Sequence, residues 1–124
     1  TKNSYLLFYF VSQMSLLQHT YYYLYKVYCK KHPKKIEKDF ISLLQNINDS
    51  YILLYDSFYK KDLLLADQTR SEIDKILKDI QDKISEKKGF INKLLLILSS
   101  MARIISVSTT VLFGLDFKES DKNL

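Results

Sequence analysis

Between Ser50 and Ile84 two apolar stripes of helical pitch meet across the polar step Lys60-Lys61-Asp62. Ahead of the step, Ile47, Tyr51, Leu54, Tyr55 and Phe58 recur every three or four residues, which lines them along one helix face. Beyond it, Ala66, Ile73, Ile76, Leu77, Ile80 and Ile84 keep that spacing. Asp67, Arg70, Glu72, Asp74, Lys75, Lys78 and Asp79 mostly fall on the opposite, wet side. A connection this short makes the two helices antiparallel neighbours. The hairpin must bury its oily side, and the flanking chain has to supply the cover.

Two Gly and one Pro in 124 residues are too few for the turns of an all-β fold. The length suits one domain with its own core, expected over residues 1–115, with a polar tail at 116–124. The expected fold is all-α, an antiparallel bundle of four long helices. Cys29 stands alone, so no disulfide framework or paired-cysteine metal motif exists, which fits a reducing cytoplasm. His19 and His32 are too far apart for a ligand pair on one helix face. The first residues lack the pattern of a secretory leader. Thr1 in place of a Met suggests a processed chain or a piece of a longer protein, with room for an N-terminal DNA-binding module.

Helix A is expected from about Ser4 to Lys30, ending before Pro33 because the residue ahead of a proline avoids helical geometry. From Asn3 to Tyr25 it holds no formally charged side chain. Its length would span a bilayer. Gln13, Gln18 and His19 near the middle, and the interface-loving Tyr21, Tyr22 and Tyr23, argue against a span and for a central or oligomer-buried helix. Helix B is expected from Lys34 or Lys35 to Tyr59 on a stripe of Ile36, Phe40, Leu43, Leu44, Ile47 and Tyr51. Asn46, Asn48, Asp49 and Ser50 invite a kink there. Asp62 caps helix C, which should stop near Lys87 or Lys88 at Gly89. Helix D, Phe90 to Phe113, is apolar almost all round, with Lys93 and Arg103 its only charges. The β-branched run Ile104 to Val111 leans toward strand, but the apolar character unbroken from Ile91 favours helix. Gly114 ends it.

The net charge of +5 draws much of its excess from Lys30, Lys31, Lys34, Lys35 and Lys38 around Pro33. Such a stretch can hold nucleic acid or acidic lipid, with Tyr21, Tyr22, Tyr23, Tyr25 and Tyr28 available to stack on bases. The favoured reading is a solvated loop whose first lysines suit a helix C-terminus. There is no phosphate loop, H-E-x-x-H, paired cysteines or Gly-x-Ser-x-Gly elbow. His19 has no partner carboxylate or nucleophile nearby in sequence and reads as a hydrogen-bonded packing residue. No catalytic residue and no cofactor is expected, and the chain is not read as an enzyme.

Residues 48–113 resemble one repeat of the PhoU-like family, the helical bundles of phosphate-uptake regulators. The likeness is carried by Phe58 at a helix end, by Asp62, Leu65, Ala66 and Asp67 opening the next helix, and by Glu72, Ile73 and Asp74 after them. Helix D is similar to the helix bearing the family's "E-R-I-x-D" signature. The resemblance implies a PhoU-like bundle whose signature carboxylates bind metal clusters. Aligned on Arg103 and Ile104, this chain has Ala102 and Ser106 at those positions, and neither can offer an anionic oxygen to a cation. Met14 and Gln18 stand at the corresponding places if helix A is set against a preceding repeat. No metal is therefore expected. Arg103, without its acidic neighbour, needs a bound anion, an Asp on helix C or an exit to solvent.

The resulting expectation is a cytoplasmic, non-catalytic regulatory or scaffolding bundle acting by protein–protein interaction. By the resemblance, its partner belongs to phosphate transport or signalling, or the bundle is the sensor or oligomerisation domain of a transcription regulator. A homo-oligomer through helix A is expected. The alternatives are a nucleic-acid-binding protein using the Lys30–Lys38 stretch and a membrane-associated helical protein. Arg103, Lys30, Lys31, Lys34 and Lys35 are the candidate anion or partner contacts.

Overall fold

In the computed structural model, which describes residues 1–31, 35 and 37–115, the chain forms four helices. They are α1 (Lys2–Lys31), α2 (Lys38–Lys60), α3 (Leu63–Glu86) and α4 (Phe90–Gly114). The fold is the all-α four-helix bundle expected, with no strand among the described residues. His32, Pro33, Lys34, Ile36 and the expected tail at 116–124 lie outside the described residues.

The local signals act largely as read. Asp62 caps α3, its Oδ1 accepting a hydrogen bond from the Leu65 amide at 3.0 Å. Lys61 takes the left-handed conformation at the end of α2, and its amide and that of Asp62 close onto Phe58 and Ser57 carbonyls. α2 runs through Asn46–Ser50 without a break. Ile47 and Ser50 are both buried there, so packing holds the turn that propensity would loosen. Gly89 differs from expectation. It precedes α4 as its N-cap, while α3 ends at Glu86. Its φ of 82° and ψ of −147° is backbone that side-chain-bearing residues avoid. Asn92 closes the same corner, its Nδ2 donating to the carbonyls of Ile84 (2.8 Å) and Lys87 (3.0 Å). Lys87 also pairs with Glu37 at 3.4 Å, joining the start of α2 to the end of α3.

The β-branched stretch of α4 is helical and mostly buried: Ile104, Ile105, Ser108, Thr109, Val111 and Leu112 all face the interior. Buried hydroxyls here are satisfied within the helix, Ser108 donating to the Ile104 carbonyl and Thr109 to that of Ser106. α4 packs closely against α1, α2 and α3, whereas α1 packs closely on α4 alone. Long aromatic side chains span the wider seam between α1 and α2. Phe10 stacks on Phe58 with centroids 4.6 Å apart, and the Tyr21 hydroxyl bonds to Asn48 Oδ1.

The central element is therefore α4, apolar almost all round as read; helix A, expected to be central or buried in an oligomer, is not central. α1 buries only Asn3, Phe10, Met14, Leu17 and Leu24, a seam mostly one heptad apart. α4 has small residues at its contacts, Ala102 and Ser99 among them, which let neighbours approach on several sides. The tyrosines of α1 cannot be enclosed that way without stranding hydroxyls.

Candidate functional site

Two adjoining surface features are built by α1 and α4 together. The first is a groove of about 990 Å³ between the C-terminal end of α1 and the start of α4. Tyr23, Tyr25, Lys26, Lys30 and Lys31 line one wall, and Phe90 and Lys93 the other. The Lys26 ammonium lies 5.3 Å from the centre of the Tyr22 ring. A hydrogen bond with Cys29 raises the Tyr25 phenol above its ordinary pKa.

The groove unites part of the expected cationic set. Lys30 and Lys31 share it. Lys35 sits instead in a separate 220 Å³ recess with Glu37, Phe40, Phe90 and Leu94. Lys34 lies outside the described residues. Of the tyrosines, Tyr23 and Tyr25 reach the groove, while Tyr21 turns toward α2. Lys93 was not legible as a member, because only the antiparallel packing of α1 on α4 brings it beside residues some sixty positions earlier.

The second feature is the uncovered flank of α1 and α4. Gly114 lies against Leu6, a methyl added to it falling 3.1 Å from Leu6 Cδ1. At the other end His19, Thr20 and Tyr23 share a shallow 430 Å³ depression with Lys93, Leu96, Ile97 and Ser100. These contacts set the two helices side by side. Tyr5 (79%), Phe8 (74%), Leu16 (48%) and Tyr23 (51%) stand open on α1, and Leu96 (51%) and Val107 (41%) on α4. At about 200 Å² per large side chain these six expose roughly 700 Å². Exposed His19, Ser100 and Arg103 lie among them, so this area is divided and does not form one continuous patch.

The carboxylates are segregated along the same line, while cations occur on all four helices. α1 carries Lys2, Lys26, Lys30 and Lys31, α4 carries Lys93 and Arg103, and neither holds a carboxylate. Among the described residues every Asp and Glu lies between Glu37 and Glu86, on α2, α3 or their flanks.

Arg103 is exposed, so it meets solvent on the α4 flank rather than a buried partner. Ala102 is fully buried, and Ser106 Oγ donates to Asp74 Oδ1 at 3.1 Å, tying α4 to α3. Among the described residues no three His, Cys, Asp or Glu side chains gather as metal ligands would. His19 is exposed beside the shallow depression, not packed inside the bundle. α4 is long and apolar enough to cross a membrane, but 67% of its apolar window is buried within the bundle, as suits a core helix.

Comparison with protein families, with curated proteins and with solved structures returns no match.

Proposed function

We propose that the protein is a non-catalytic docking module, a regulatory or scaffolding bundle that works by presenting the α1–α4 flank to another macromolecule. The observation that carries this reading is the open apolar surface of Tyr5, Phe8, Leu16, Tyr23, Leu96 and Val107 on the two helices that hold no carboxylate. Leaving that much oil in water costs solubility, and covering it supplies binding free energy in the ordinary hydrophobic way. By the resemblance to PhoU-like regulators, the process served is phosphate transport or its signalling. That part of the reading rests on the resemblance alone.

A photo-crosslinking residue at position 8, compared with one at the exposed Ile52 on α2, tests it. Adducts with any cellular component should form in higher yield at position 8. Equal yields at both positions would remove the flank as the working surface.

A second reading has its own observation, the convergence of Lys26, Lys30, Lys31 and Lys93 with Tyr23 and Tyr25 in the groove. Cations beside stacking aromatics suit single-stranded nucleic acid. Binding of an oligonucleotide that weakens steeply with salt, and fails in Lys30→Gln/Lys93→Gln, is what this reading expects.

A further inference from the structure

The docking surface combines two properties that are usually separate. It is apolar and aromatic along most of its length, and its only charges are cationic. Phe8, Tyr5 and Leu16 lie toward one end, and Lys26, Lys30 and Lys93 cluster at the other around the groove.

We infer that the occupant of this surface is an anionic lipid bilayer, on which the bundle lies with α1 and the α4 flank in the headgroup layer. The inference rests on the docking reading and names its partner. Three observations select the bilayer. First, aromatic and aliphatic side chains exposed together with cations match a membrane's apolar margin under a negative surface. Tyrosine, amphipathic itself, prefers that margin. Second, a copy docked in parallel through the same flank would set Lys26, Lys30 and Lys93 near their like, and one docked antiparallel would lay them on the partner's apolar end; in neither pairing does α1 or α4 offer a carboxylate to offset them. Third, a nucleic acid would satisfy the lysines of the groove and could stack on exposed rings, but it offers nothing to cover the aliphatic Leu16, Leu96 and Val107.

The carboxylates gathered on α2 and α3 orient the molecule. Eleven Asp and Glu offset the nine Lys and Arg of residues 37–88, whereas α1 and α4 carry cations alone, so an anionic surface attracts the α1–α4 side more strongly before any side chain inserts. α4 remains the core of the bundle, so the protein lies on the membrane without crossing it.

The chain contains no Trp, so a single Trp reports its own environment. Phe8→Trp should shift its emission to the blue on adding vesicles of phosphatidylcholine with a third phosphatidylserine, and the protein should float with them. Ile52→Trp, exposed on α2, should show no shift. Pure phosphatidylcholine should bind far less. Lys30→Gln/Lys93→Gln should weaken binding by about fivefold per cation removed, the usual strength of a basic side chain near such a surface. Tyr5→Ser/Phe8→Ser, at two well-exposed positions, should abolish the insertion while leaving helicity unchanged.

Three results would overturn the inference. If the protein ignores vesicles but self-associates in sedimentation, and Tyr5→Ser/Phe8→Ser returns it to monomer, the lipid occupant is wrong while the docking surface stands. If it binds vesicles with no shift at position 8, attraction is electrostatic only and the insertion fails. If vesicles, self-association and crosslinking are all negative at this flank, the docking reading falls as well.

Discussion

Phe10 is 2% exposed and stacks on Phe58, and this pair is the main hydrophobic bridge across the wide seam between α1 and α2. Its removal leaves a gap that neither helix can close by moving, because α4 holds both in place. Phe10→Ala should therefore cost about 3–5 kcal/mol in denaturant unfolding, the upper range for a core aromatic. Tyr21 bridges the same seam differently. Burial first, and the neighbouring Tyr51 second, push its pKa from 10.0 up to about 12. The folded chain thus keeps a proton that the unfolded chain has lost, so stability falls as pH rises between those values. Tyr21→Phe should cost about 1 kcal/mol at neutral pH for the bond to Asn48. It should also flatten part of the alkaline decline in a denaturation series from pH 9 to 12. An unchanged alkaline limb would show that Tyr21 titrates normally. Tyr55, also raised to about 12 chiefly by its hydrogen bond with Tyr51, would retain some of the slope.

Each helix junction is fixed by a different device. At the α2–α3 step, Asp62→Ala should cost about 1 kcal/mol by releasing the Leu65 amide. At the α3–α4 corner, Gly89→Ala meets nothing within 4 Å, so any cost is backbone conformation alone. A loss of about 1–3 kcal/mol is expected by thermal unfolding, and none would mean that the corner relaxes to another geometry. The contrast shows what the sequence made legible. Asp62 as a cap follows from residue type and position, and so do the ends of α3 and α4 to within a few residues. Gly89 was legible as the break and Phe90 as the start of α4, but the closure of the corner was not, because Asn92 supplies it from the following helix by bonding back to Ile84 and Lys87. The unbroken α2 and the helical Ile104–Val111 run share one cause. Burial on a continuous stripe outweighs the few tenths of a kcal/mol per residue at which propensities argue otherwise.

At the scale of the molecule, long uncharged stretches mark both α1 and α4, and charge pattern alone cannot say which is central. What separates them is side-chain type. α4 is built of aliphatic and small residues that can be enclosed, and α1 of tyrosines and phenylalanines that keep one edge wet. The groove and the flank were half legible for the same reason: the lysines and tyrosines of α1 stand out in the sequence, but their meeting with Lys93, Leu96 and Val107 exists only once the helices pair. This asymmetry has a dynamic consequence. With one narrow seam on α4 and aromatic bridges to α2, α1 holds far less buried surface per residue than α4 does. Local opening follows buried contact, so α1 should detach below the free energy of global unfolding. Amide exchange under mild denaturant should show α4 protected up to the global limit and the first turns of α1 exchanging several kcal/mol below it. Docking of the flank would raise α1 toward α4, because binding favours the attached form by mass action. Equal protection of the two helices in the free protein would mean that the seam is stronger than its buried residues imply, and that α1 does not open before the rest.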